Sequence, residues 1–149
     1  KGVNEIAKLA EPFFMKENID ISNTDKFLSI IKHVKQRVNT LAEMPKEAKR
    51  FYEELDFSNE QLNVLNKNDP QKLLKAILIK LKNEPNCDGN KFKNISMDVG
   101  EKCNLKGKDL FHPLRIALYG SPDGPDIPII YSILEKNEII NRLSRVINE

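Results

Sequence analysis

The chain has 149 residues, 40% of them hydrophobic and 31% charged, with a formal net charge of +2. That length supports one domain, or two small ones sharing a core, without disulfides or metal to hold it together. No apolar run reaches the roughly 18–20 residues of a membrane span, and so small a positive charge excludes a protein that grips duplex nucleic acid mainly through phosphates. An RNA reader that works on unpaired bases stays compatible with it.

The first residues, "KGVNEIAKLAEP", have no apolar leader pattern and no initiator Met, so the chain reads as a piece of a longer one. The first clear element is "NTDKFLSIIKHVKQRV", where Phe27, Ile30, Ile31, Val34 and Val38 recur at helical spacing behind a cap at Asn23 or Thr24. Thr40 and Glu43 stand at capping-box spacing and open a short helix that Pro45 interrupts or restarts. "PKEAKRFYEEL" continues as helix with Ala48, Phe51, Tyr52 and Leu55 inward. "SNEQLNVL" repeats the capping device with Ser58 and Gln61.

"NKNDPQKLLKAILIKLKNEPN" has the sharpest signals. Asp69 is the expected cap, Pro70 the first helical residue, Leu73, Leu74, Ile77, Leu78 and Leu81 the buried stripe, and Pro85 the stop. Phe92, Ile95, Val99 and Cys103 give the next helix its stripe. "HPLRIALYG" is expected to be helical from Pro113 to a stop at Gly120. Two short helices close the chain, "DIPIIYSIL" and "NEIINRLSRVINE". Asn137 is the expected cap of the second, with Ile139, Ile140, Leu143, Val146 and Ile147 inward. No strand alternation with hairpin turns and no solenoid repeat is visible. The pattern predicts an all-α protein of short helices in two subdomains, 1–68 and 69–149, with the polar stretch Asn66–Asp69 as their seam.

The motifs of several chemistries are missing: no phosphate-binding glycine loop, no nucleophile elbow, and no ligand spacing for zinc from Cys87, Cys103, His33 and His112. The bland reading of the cysteines is reduced thiols in the cytosol. Charges such as Glu138 and Arg142 read as solvated i,i+4 partners. Three features stand out. Arg115 lies alone among Leu, Ile and Ala, about 100° from its helix's apolar centre. It either pairs internally, with Asp109, Asp126 or a helix end, or offers its planar fork to a partner. "GSPDGPD" is a loop stiffened by Pro122 and Pro125, and Pro128 follows; taken alone it is a tight connection, but a rigid loop also loses little entropy on meeting a ligand. Arg37 lies about 80° from its helix's apolar centre, against about 180° for Gln36, which places its head at the solvent boundary. Lys106 and Lys108, close to Arg115 in sequence, are solvated lysines or phosphate contacts.

"KGKDLFHPLRIALYGSPDGPDI", with "RLSRVI" near the end, resembles the C-terminal anticodon-binding region of bacterial glutamyl-tRNA synthetases. "QRVNTLAEM" and "RFYEELDF" resemble that family's upstream segments, so the likeness spans nearly the whole chain. The resemblance implies an α-helical cage of the class I synthetase anticodon-binding type, cut from a catalytic half whose ATP signatures are not found here. It implies a non-catalytic RNA-binding module of glutamate–tRNA ligase, cytoplasmic and monomeric. Its implied partners are the anticodon arm of tRNA-Glu and the catalytic domain of its own parent chain. No cofactor is expected in this portion, and ATP belongs to the parent enzyme. By the same resemblance Arg115 lies against the unstacked anticodon, and Gly124, Pro125 and Ile127 present backbone and apolar atoms to another base. Arg37 then favours tRNA-Glu over tRNA-Gln, with Gln36 as the neighbour that would suit relaxed specificity. The rival readings are a helical protein-interaction scaffold and a small enzyme using His112 and Asp109.

Overall fold

A computed structural model describes residues 2–148, and every described element is helical. The chain forms two compact units, Lys1–Glu54 and Leu55–Glu149.

In the first unit, α1 (Val3–Lys16), α2 (Thr24–Val34) and α3 (Met44–Tyr52) pack around Ala10, Phe14, Phe27, Ile30, Ile31, Ala48 and Phe51. The rings of Phe14 and Phe27 meet edge to face with centroids 5.0 Å apart, a preferred geometry for aromatic pairs. Asn23 caps α2 by accepting from the Lys26 amide at 3.1 Å. Thr40 accepts from the Glu43 amide, which forms a single 3₁₀ turn at Leu41–Glu43 before Pro45 opens α3. The capping pair and the restart at Pro45 are as the sequence indicates. The end of α2 is not. Its last amides turn to i−3 acceptors, Gln36 to His33 and Arg37 to Val34, so residues 35–37 form a tightened turn and Val38 leaves the helical stripe.

The second unit contains α4 (Asn59–Leu65), α5 (Asn68–Lys82), α6 (Gly89–Lys102), α7 (Lys108–Tyr119) and α8 (Ile127–Val146). The Ser58–Gln61 capping box is complete in both directions. The whole stripe Leu73, Leu74, Ile77, Leu78 and Leu81 is buried, and α5 packs against all four other helices. Lys67 rather than Asp69 occupies the cap position of α5, so Asp69 sits in the first turn. There its charge faces the positive end of the helix dipole. The two closing helices appear as α8 with a break at Glu135, whose φ of 66° and ψ of 165° are not helical.

The expected seam at Asn66–Asp69 is corrected by this packing: the units divide between Glu54 and Leu55. Helix α4 packs on α5 and α7. The Gln71 side-chain amide donates to the Leu65 carbonyl at 2.7 Å, and Asn148 donates to Asn66 at 2.9 Å. The polar stretch is thus a pinned turn inside the second unit. Among the described residues no helix is long and apolar enough to cross a membrane.

Candidate nucleic-acid interface

Helix α7 begins at Lys108, before Pro113, and carries the proline inside it. Leu110, Leu114, Ala117 and Leu118 are buried along one side and Ile116 along another, so the helix is covered on two sides. It ends at Gly120, whose φ of 81° is left-handed; glycine takes that conformation without a Cβ clash. Gln61 of α4 donates from its side chain to the Gly120 carbonyl at 2.8 Å, which fixes where the following loop departs.

The loop is held from within. Ser121 accepts from the Asp123 amide at 3.1 Å. Gly124 lies against the buried Tyr119 ring, where a Cβ would come within 2.6 Å of a ring carbon. Arg115 reaches across to this loop: its Nε donates to the Pro125 carbonyl at 3.1 Å and its guanidinium stands 3.7 Å from Asp126. Its side chain is 20% exposed and passes the Phe111 ring, with Cζ 5.6 Å from the centroid. The structure therefore brings Arg115 and Gly124 together at the surface, with the Pro125 carbonyl as the acceptor that ties them. It also supplies the internal partner weighed for Arg115, since Asp126 is that partner.

The other expected contacts are redistributed. Pro125 is buried, and Ile127 is 0% exposed and belongs to the core. Its amide is taken by Asp126 Oδ1 at 3.0 Å. The apolar contact expected from Ile127 to a base is thus corrected: its side chain props the loop from below. Arg37 lies in the first unit, on the exposed turn after α2, and donates to Glu47 at 3.2 Å. Lys106 and Lys108 are exposed but diverge. Lys106 lines a cleft of about 530 Å³ with Met97, Leu110 and Phe111, whereas Lys108 lines another of about 640 Å³ with Lys67, Asn68 and His112.

Three residues escaped the sequence reading. Lys93 on α6 lies 3.2 Å from both oxygens of Asp126, and nothing distinguishes it in sequence from its neighbouring lysines. Gln61 serves the loop as well as its own helix. Arg142 is a correction: only 2% exposed, it pairs with Glu138 at 2.8 Å and donates to the Leu118 carbonyl at 2.8 Å. Burial lowers its pKa, and the Glu138 pairing offsets part of that. The signal for it was present, because position 142 lies three after Ile139 and four before Val146, inside the apolar arc.

On this surface of an all-helical unit, one cation is fixed against a loop that its own side-chain and backbone hydrogen bonds hold in place. The anticodon binding domain model matches residues 5–147, and the chain belongs to that family. Among characterised proteins, the chain is similar to the glutamate–tRNA ligase of Acholeplasma laidlawii, 29% identical over 98% of this chain and 33% of the relative. Its likeness to the Polynucleobacter asymbioticus glutamate–tRNA ligase is 31% over 96% of this chain and 31% of that one. The chain thus spans about a third of the length of such relatives. A crystal structure of a glutamate tRNA ligase from Elizabethkingia meningosepticum superposes with a TM-score of 0.83 at 20% identity, covering 98% of this chain and 29% of that one. It shares the fold.

Proposed function

We propose that this chain is the anticodon-reading portion of a glutamate–tRNA ligase and binds the anticodon arm of tRNA-Glu. It performs no chemistry itself. The remainder of the parent enzyme, in the cytoplasm, binds ATP, activates glutamate and transfers it to the tRNA end, and the enzyme acts as a monomer. The observation that carries this reading is the bond from Arg115 to the Pro125 carbonyl beside Gly124. It presets a planar donor and an adjacent rigid loop at one place, as recognition of unstacked bases requires. Arg37, in the other unit, contributes preference for tRNA-Glu over tRNA-Gln, its guanidinium exchanging Glu47 for RNA. Lys106 and Lys108 set register on phosphates.

Titration of the chain with tRNA-Glu and tRNA-Gln transcripts tests this. The reading requires tighter binding of tRNA-Glu, with Arg115→Ala weakening it about tenfold, as loss of a fixed guanidinium contact does, and Arg37→Gln narrowing the ratio between the two. Equal, weak binding of both would favour the protein-interaction scaffold.

A further inference from the structure

Asp126 is the point where two cations from different helices converge. Lys93 of α6 reaches both of its oxygens at 3.2 Å, and Arg115 of α7 stands 3.7 Å from one of them. Both cations also flank the Phe111 ring, Lys93 Nζ at 5.8 Å and Arg115 Cζ at 5.6 Å from its centroid. The ring gives them an apolar wall and limits where they can swing. At this point two cations share one carboxylate. The cluster is also reachable, since the Asp126 side chain is 49% exposed and Lys93 33%.

We propose that Lys93 is a further RNA-binding residue and that Asp126 is its internal stand-in for an RNA phosphate, displaced when the anticodon loop docks. This rests on the anticodon-reading function above and adds to it a site for the backbone of the loop. A phosphate presents the same kind of acceptor oxygens to the same donors and carries comparable charge. The exchange is cheap, because a half-exposed ion pair in water contributes little that must be given up. While no RNA is present, Asp126 keeps Lys93 and Arg115 extended side by side. The carboxylate thus preorganises the donors and competes for them.

The test is binding of tRNA-Glu and tRNA-Gln anticodon stem-loop RNAs by the wild-type chain, Lys93→Ala, Asp126→Asn and the double variant, at several salt concentrations. Asn keeps an acceptor at the start of α8 and removes only the charge. Lys93→Ala is expected to weaken both RNAs equally, by about three- to fivefold, the scale of one exposed ionic contact. It should also reduce the salt slope by about 0.7, the contribution of one single-strand phosphate. Asp126→Asn is expected to tighten both by a similar factor, and that gain should shrink when Lys93 is also Ala, leaving only the part that comes from freeing Arg115. If the wild type and Arg115→Ala behave as the anticodon reading requires but Lys93→Ala binds like wild type, the pair is a structural clamp and this inference is overturned alone. If the wild type binds neither RNA, the anticodon reading falls and this site with it. Should Asp126→Asn lower the melting temperature, the Lys93→Ala arm still decides.

Discussion

At the scale of single residues, the loop's geometry depends on Gly124 lying against Tyr119. A Cβ there meets the ring at 2.6 Å, and Tyr119 is fully buried, so it has no space to retreat. Gly124→Ala is expected to cost about 1–3 kcal/mol, the usual range for forcing a methyl into a packed site. It should also weaken RNA binding while helical content stays the same; melting curves with parallel titrations check both, and an unchanged affinity would detach the loop from recognition. Which residues were legible at this scale follows from what a side chain does. Arg115 was conspicuous because a cation alone among Leu, Ile and Ala needs a partner, and it has Asp126. Arg142, more deeply buried, was read as solvated because its spacing to Glu138 matches an ordinary surface pair. Lys93 was invisible: its role comes from a loop more than thirty residues away folding back onto α6.

At the scale of elements, stripes and caps were readable and ends were not. The stripe of α5 and the box at Ser58 and Gln61 formed as their spacing implies, because local hydrogen bonds and periodicity decide them. No helix was assigned over the first residues, where the buried positions Ala7, Ala10 and Phe14 are mixed with exposed Leu9, Phe13 and Met15, and Pro12 breaks the pattern. The break in α8 has a testable cost. Glu135 occupies a backbone region that is essentially reserved for glycine. Glu135→Gly is expected to stabilise the chain by about 1 kcal/mol, the relief of strain exceeding the extra freedom of the unfolded chain. A lower melting temperature would show that the Glu135 side chain itself holds the break.

In the first unit, His33 Nε2 is buried without a hydrogen-bond partner, its ring edge-on to Phe51. Burial, then the charge of Arg37, lowers its pKa below 6.5, with Glu47 opposing. The unfolded chain therefore takes up the proton at a higher pH than the folded one. The stability contributed by neutral His33 is complete above the unfolded value and is lost as pH falls through the lowered folded value. Melting temperature should decline on acidification through this window, and His33→Leu should flatten the decline. An identical pH profile in the variant would remove His33 as its source.

At the scale of the whole molecule, a net charge of +2 is a poor match for affinity built on phosphates alone. On the anticodon reading proposed above, selectivity comes from a few donors fixed in space. The fold spends its glycine, proline and side-chain bonds on one such place, from Gln61 under Gly120 to Arg115 on Pro125. The all-helical class and the anticodon-binding family were legible because Pro-Leu-Arg, the Gly-Pro loop and the helical stripes lie in continuous sequence. The division between Glu54 and Leu55 was not, since only packing of α4 onto α5 and α7 determines it.

The most direct measurement is the affinity of Arg115→Lys for the tRNA-Glu anticodon stem-loop. Lysine keeps the charge but loses the planar fork that holds the Pro125 carbonyl. Recognition by a preset guanidinium predicts that Arg115→Lys binds as weakly as Arg115→Ala, with the fold intact by melting. Recovery of wild-type affinity by lysine would show that charge alone suffices and would contradict the account.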